Sequence, residues 1–129
     1  MKIEHVAMWT TNIEQLKKFY IEYFNGKSGN KYINEKKHFE SYFIEFDEDA
    51  RLEIMSNEKI KSRTSDGAQE FIGLAHIAFS VGSVKKVDEL TDLLKNKGYE
   101  VVSGPRRTGD GYYESCILDP DGNRVEITE

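Results

Sequence analysis

The stretch from Leu74 to Val81 reads Leu-Ala-His-Ile-Ala-Phe-Ser-Val, and it decides how the rest of the chain is interpreted. β-Branched and aromatic residues alternate in it with smaller ones, and a period of two predicts a buried strand. Ile77 and Phe79 then lie on one face of that strand. His76 lies on the other face, among small side chains. A single histidine on a strand is more often structural than functional, but this pattern occurs twice in the sequence.

The other copy of the pattern lies near the N-terminus. Residues 5–8 read His-Val-Ala-Met and match His-Ile-Ala-Phe at 76–79, which is 71 positions later. An apolar stripe at helical spacing follows each copy at a matching distance and predicts helices over about 13–24 and 84–96. The same order of strand and helix in both halves indicates an internal duplication.

The ends of the two halves match as well. Residues 51–54 read Arg-Leu-Glu-Ile, and residues 124–127 read Arg-Val-Glu-Ile. Each half is therefore predicted to be a strand and a helix followed by antiparallel strands, which is an α+β unit. We expect one domain over 1–129, built from a first module at about 1–60, a linker at about 57–73 and a second module at about 74–129.

The composition is that of an ordinary soluble globular protein and argues against two classes of partner. Of the 129 residues, 38% are hydrophobic and 32% are charged, and the formal net charge is −5. An acidic chain is a poor match for nucleic acid or an anionic membrane, since both require a basic surface. No apolar run approaches the roughly 20 residues of a membrane span. Cys116 is the only cysteine, so we expect no internal disulfide, a buried thiol and a cytoplasmic location.

Four polar residues occupy equivalent positions of the repeat. His5 and His76 lie in the first strand of each half, and Glu53 and Glu126 lie in the last. In each half the strand period places both side chains on the face opposite the predicted helix. Imidazole nitrogen and carboxylate oxygen together suit zinc, nickel, cobalt, manganese or iron. The pattern therefore favours a divalent metal site.

The alternative for the two glutamates is a structural one. Glu53 follows Arg51 by two residues, and Glu126 follows Arg124 by two, so each glutamate has a cation on its own strand face. Exposed ion pairs of this kind are common and contribute little. The presence of histidine and glutamate at both repeats makes the metal hypothesis the better one.

The chain resembles the vicinal oxygen chelate superfamily, also called the glyoxalase/bleomycin resistance protein/dioxygenase superfamily. The resemblance extends from Ile3 to Thr128, and its most specific parts are the 74–81 strand and the ending Leu-Asp-Pro-Asp-Gly-Asn-Arg-Val-Glu-Ile at 118–127. It implies two βαβββ modules whose curled sheets form a metal-binding cup. It further implies a homodimer, with the metal ligands His5, Glu53, His76 and Glu126.

Within the superfamily the ligand set is most similar to that of glyoxalase I, or lactoylglutathione lyase. Extradiol dioxygenases and fosfomycin-type thiol transferases typically use two histidines and the final glutamate, whereas Glu53 fills a fourth position here. The resemblance implies a lyase or isomerase acting on a small carbonyl–thiol adduct, with Glu126 as the proton-transferring base and Glu53 as its counterpart. The other metal-dependent reactions, or a non-catalytic binding protein for a small molecule such as an antibiotic, remain the alternatives.

One position departs from the glutathione-dependent pattern. Those enzymes usually carry an arginine four residues after the first histidine, where this chain has Trp9. Trp9 is instead predicted to form an apolar wall against the substrate. Arg106 and Arg107 can supply charge from the second half, although a solvated basic loop over 104–111 is the simpler interpretation.

Overall fold

Each half of the chain starts with a strand and a helix, as the computed structural model of the protein shows for residues 1–47, 50–61 and 72–129. The chain divides into two units, Met1–Arg63 and Thr64–Glu129. Each unit holds one helix on one β-sheet.

The first unit holds a five-stranded sheet. Its elements are β1 (His5–Trp9), α1 (Ile13–Phe24), β2 (Lys27–Ser28), β3 (Tyr32–Asn34), a 3₁₀ turn (Glu35–Lys37), β4 (Phe39–Glu45) and β5 (Arg51–Asn57). The strand order is β1-β5-β4-β2, with β3 also paired to β4. β1 runs parallel to β5, and the other pairs are antiparallel.

The second unit holds a four-stranded sheet with the same connectivity. Its elements are β6 (Ile77–Ser80), α2 (Val84–Asn96), β7 (Val101–Arg107), β8 (Tyr113–Leu118) and β9 (Arg124–Thr128). The strand order is β6-β9-β8-β7, with β6 parallel to β9. In both units the first strand therefore pairs with the last. This shared topology confirms the α+β fold of two βαβββ units.

The helices begin and end where the sequence places their boundaries. Asn12 caps α1 by accepting a hydrogen bond from the backbone N–H of Gln15 at 3.1 Å, and Ser83 caps α2 in the same way. α1 ends at Asn25, which adopts a left-handed conformation at φ 56°. Such side chains satisfy backbone N–H groups that the first turn of a helix leaves free.

Two expectations differ from what is observed, and a third falls largely outside the described residues. The strand expected over 74–81 covers only Ile77–Ser80. The expected linker falls largely on 62–71, outside the described residues. Arg106 and Arg107 belong to the end of β7 rather than to a basic loop. β7 is an edge strand with two register shifts, and an edge strand accommodates Pro105, which has no N–H to donate.

Each sheet buries one face against its own helix. In the first unit α1 packs on β4 and β5, and in the second α2 packs on β7, β8 and β9. The buried residues of the helix sides are Leu16, Phe19 and Tyr20 with Ile44, Leu52 and Ile54, and Val87, Thr91 and Leu94 with Ile117, Val125 and Ile127. Alternate residues of the same strands lie on the opposite side, which we call the histidine face of each unit.

The described helices are too short and too polar to cross a membrane. They have 12 and 13 residues, whereas a span needs about 20.

A polar cluster fastens α1 to β4 in the first unit. Glu14 on α1 accepts hydrogen bonds from Tyr42 at 2.9 Å and pairs with Lys17 at 2.6 Å and Lys31 at 2.9 Å. Lys31 also pairs with Glu40 at 3.1 Å. The hydrogen bonds from Lys17 and Lys31 lower the pKa of Glu14 from 4.5 to about 2. Because the folded-state pKa is lowered, this cluster stabilises the fold above about pH 4.5 and loses that contribution as the pH falls towards 2.

We expect the Glu14→Gln variant to be less stable than the wild type at pH 7, with a difference that shrinks as the pH falls from about 4.5 to about 2. Urea unfolding at pH 7 and pH 3 measures both values. Glu22→Gln on the same helix is the control, because Glu22 is exposed and forms no ion pair with a described residue. Equal destabilisation by Glu14→Gln at both pH values would contradict the assigned role.

Candidate metal centre

The first unit brings His5 and Glu53 together on its histidine face. β1 and β5 are parallel with Ala7 opposite Glu53, and His5 lies two residues before Ala7 on the same side of β1. The His5 Nε2 atom lies 3.8 Å from the Glu53 Oε2 atom. The Glu53 side chain is 15% exposed and the His5 ring is 40% exposed. Both side chains are therefore partly accessible to a ligand.

The second unit repeats this arrangement with His76 and Glu126. Ala78 lies opposite Glu126 in the β6–β9 pair, which is the same register as that of Ala7 and Glu53. The His76 Nε2 atom lies 3.1 Å from the Glu126 Oε2 atom, and the Glu126 side chain is 21% exposed. His76 immediately precedes β6, so its backbone lies at the end of the sheet and is not part of a strand.

The His5 ring is oriented by its neighbours. Its Nδ1 atom hydrogen-bonds the Glu4 carboxylate, which also pairs with Arg51. The hydrogen bond from His5 is the largest cause that lowers the pKa of Glu4 below its usual value. Phe43 meets the His5 ring edge to face at a centroid distance of 5.4 Å. A carboxylate on Nδ1 leaves Nε2 as the ligating nitrogen on the Glu53 side, an arrangement typical of metal-binding histidines.

The alternative for Glu53, a surface ion pair with Arg51, is not observed in the first unit. Arg51 lies on the same strand, but its guanidinium pairs with Glu4, and its ring contact is with Phe43 at 4.2 Å. The ionic partner of Glu53 is His5. The glutamate therefore faces an imidazole rather than an arginine.

The donor chemistry of the two pairs fits a divalent metal. Ligand atoms about 2.0–2.2 Å from a tetrahedral ion lie roughly 3.3–3.6 Å from each other, and the His76–Glu126 separation of 3.1 Å is close to this range. The His5–Glu53 separation of 3.8 Å is longer by less than 1 Å. Across residues 1–47, 50–61 and 72–129, no group of three or more His, Cys, Asp or Glu side chains lies close enough together to hold a metal ion. Each unit brings one histidine and one glutamate together.

Cys116 is a site neighbour that sequence reasoning placed only as a buried residue. It is buried, as expected, but it lies in register with Glu126 and therefore on the histidine face of the second unit. Burial, followed by the charge of Glu126, raises the pKa of the Cys116 thiol. The thiol is therefore protonated at neutral pH, which disfavours a nucleophilic role.

The two arginines of β7 separate onto opposite sides of the sheet. Arg107 lies opposite Tyr113, donates to the carbonyl of Gly111 at 3.0 Å and pairs with Glu129 at 3.0 Å. Arg106 lies opposite Glu114. Because adjacent β7 residues alternate in direction, only Arg106 shares the histidine face of the second unit.

Trp9 lies on the histidine face of the first unit, at the end of β1. Its ring meets Phe39 at a centroid distance of 6.1 Å, and Phe39 meets Tyr32 at the same distance. Sequence reasoning singled out Trp9 but not its two neighbours. Their positions follow from the pairing of β4 with β3 and β5, which no local pattern of the sequence reveals.

Comparison with known proteins places this arrangement in a family. Residues 2–127 match the family model of the Glyoxalase/Bleomycin resistance protein/Dioxygenase superfamily. A stretch of 59 residues, 43% of this chain, is 41% identical to protein YqjT of Bacillus subtilis (strain 168). That match covers 46% of YqjT, so it spans about half the length of the relative.

Solved structures share the fold over nearly the whole chain. A glyoxalase family protein from Enterococcus faecalis is 26% identical with a TM-score of 0.79, covering 99% of this chain and 97% of that one. The trypanothione-dependent glyoxalase I of Leishmania major is 19% identical with a TM-score of 0.79, covering 100% of this chain and 86% of that one. At that identity the second likeness is one of fold alone.

Proposed function

Because the chain belongs to the glyoxalase/bleomycin resistance protein/dioxygenase superfamily, we propose that it is a metal-dependent lyase or isomerase of the glyoxalase I type acting on a small carbonyl–thiol adduct. The observation that supports this proposal most directly is the pairing of one histidine with one glutamate in the same register of both units. A duplication that served packing alone has no need to keep two partly exposed ionisable pairs.

We propose that His5, Glu53, His76 and Glu126 together hold one divalent metal, with zinc, nickel, cobalt, manganese and iron all compatible with the donor set. Two neutral imidazoles and two carboxylates bring a divalent ion close to neutrality, which limits the cost of a partly buried charge. When bound, such a metal polarises substrate oxygens. We further propose that the chain acts as a homodimer in which units of different subunits complete each site.

Glu126 is the proposed base. A proton-transferring carboxylate must lie within reach of the proton that it abstracts. Glu126 has an imidazole at 3.1 Å and retains 21% exposure towards the histidine face. It can therefore take a proton from one carbon and return it to the adjacent carbon. Glu53, which is less exposed at 15%, is its counterpart in the first unit.

The retained Glu53 favours this reaction over the other metal-dependent reactions of the superfamily. Ring cleavage and thiol transfer to an epoxide need only two histidines and one glutamate, as the resemblance implies. Glu53 contacts His5 and lies away from Arg51, which pairs with Glu4. This contact supports a ligand role for Glu53 rather than a surface ion pair with Arg51.

We expect the purified protein to hold about one divalent metal ion per chain, since each chain carries two histidine–glutamate pairs. We also expect it to isomerise the adduct of methylglyoxal with at least one thiol. Elemental analysis, light scattering of the same sample and activity assays with glutathione and other thiols measure these properties. Removal of the metal with a chelator is the control, and it should abolish activity that the added metal restores. Metal-free protein after exposure to all five metals would leave a non-catalytic binding protein as the better hypothesis.

A further inference from the structure

One end of the histidine face of the first unit is aromatic. Trp9, Phe39 and Tyr32 form a chain of edge-to-face ring contacts, with centroid distances of 6.1 Å and 6.1 Å. Trp9 is 42% exposed and Tyr32 is 55% exposed. We call these three residues the aromatic wall. Exposed aromatic clusters are uncommon on a folded surface and typically mark a binding site.

The aromatic wall adjoins the His5–Glu53 pair. Trp9 lies in register with Met55, which is two residues beyond Glu53 on the same face of β5. Met55 lies opposite Ser41, and Ser41 lies opposite Tyr32. Alternate residues of a strand are about 7 Å apart. A group on the carbon next to the reacting oxygens of a ligand bound at Glu53 can therefore contact the aromatic wall.

The fold itself does not require an aromatic residue at the position of Trp9. In the second unit the equivalent row is Ser80, Thr128 and Glu114, and it pairs in the same register. Ser80 takes the place of Trp9, and Thr128 takes the place of Met55. The second sheet forms with small and polar residues there. Strand pairing in this register therefore does not need an aromatic residue at the position of Trp9.

We propose that the aromatic wall binds an aromatic ring carried by the substrate, so that the substrate class is that of aryl-substituted carbonyl compounds. This inference rests on the proposed function, since it places the reacting oxygens at the His5–Glu53 pair. The wall carries no charge, so it offers nothing to the carboxylates of a peptide thiol. A flat apolar ring, by contrast, gains both burial and edge-to-face contacts against Trp9 and Phe39.

Mandelate and lactate test the inference without turnover. Both carry a carboxylate and a hydroxyl on adjacent carbons and differ only in a phenyl or a methyl group. We expect calorimetric titration of the metal-loaded protein to show mandelate binding about tenfold to a hundredfold more tightly than lactate. Trp9 is the only tryptophan, so mandelate should also change the intrinsic fluorescence, and lactate should change it far less.

Variants separate the wall from the metal site. Phe39→Leu and Tyr32→Ala should each reduce the preference for mandelate and leave lactate affinity unchanged. Ile21→Ala is the matched control, because Ile21 is an exposed apolar residue on α1 and should change neither affinity. The Tyr32 side chain is largely exposed, so its removal tests the wall even if Phe39→Leu impairs folding.

The outcomes distinguish this inference from the proposed function. Metal binding with equal affinity for the two acids would overturn the aromatic wall and leave the metal site standing. Absence of metal binding would overturn the proposed function. In that case the aromatic wall would still be supported if the metal-free protein preferred mandelate and if this preference fell in Phe39→Leu. Failure of either acid to bind metal-loaded protein would overturn the inference as well.

Discussion

The Glu126→Gln variant is expected to fold as the wild type does and to lose about 10²- to 10⁴-fold of its isomerase activity. Glutamine has nearly the same volume as glutamate but cannot accept the transferred proton, and general base catalysis typically contributes a factor of this size. Metal affinity should fall as well, because the amide oxygen is a weaker ligand than the carboxylate. Steady-state kinetics and elemental analysis of the same preparation measure the two effects.

Two further variants complete this experiment. His76→Ala removes a whole ligand, and its metal affinity should fall by more than the roughly 10- to 100-fold that changes beside a ligand cause. Glu89→Gln is the control, because Glu89 lies exposed on α2 and pairs only with Lys85 at 3.5 Å among the described residues. Full activity and metal content in Glu126→Gln would rule out both roles assigned to Glu126.

The second large effect concerns stability. Leu94 on α2 is fully buried, whereas its neighbour Leu93 is 45% exposed. We expect Leu94→Ala to lower the free energy of unfolding by about 2–5 kcal/mol, because it removes buried methyl groups and leaves a cavity. The same substitution at Leu93 should cost less than about 1 kcal/mol, since alanine is also a strong helix former.

Urea unfolding of the two leucine variants measures this difference in the free energy of unfolding. We expect the dependence of that free energy on urea concentration to be unchanged. The comparison is well matched because the two residues are adjacent, belong to one helix and lose the same atoms. Similar losses in both variants would mean that α2 does not pack on its sheet through Leu94.

The duplication could be predicted from the sequence because the patterns that reveal it lie among neighbouring residues. A strand period of two and a helix period of 3.6 repeat in the same order, and each helix starts at a capping residue, Asn12 or Ser83. The parity of a strand also fixes which residues share a face. For this reason the sequence alone predicted that His5 and Glu53 share a face, as do His76 and Glu126, and in the structure the two pairs lie 3.8 Å and 3.1 Å apart.

The sequence predicted less well where pairing between distant strands decides the outcome. Arg106 and Arg107 are adjacent and chemically alike, and the pairing of Arg106 with Glu114 and of Arg107 with Tyr113 decides which of the two lies on the histidine face. Arg51 pairs with Glu4 rather than with Glu53, because residues 4 and 51 meet where β1 and β5 begin. Neither result follows from spacing along one strand.

What the sequence by itself determined is the class of fold, the positions of the helices and the two histidine–glutamate pairs. These depend on periodicity and on repetition, which are properties of neighbouring residues. Only the tertiary structure decided that Phe39 and Tyr32 join Trp9, and that Cys116 lies beside Glu126. The physical reason is that a strand shows which residues alternate, whereas the backbone hydrogen bonds to its partner strands set the register that brings side chains together.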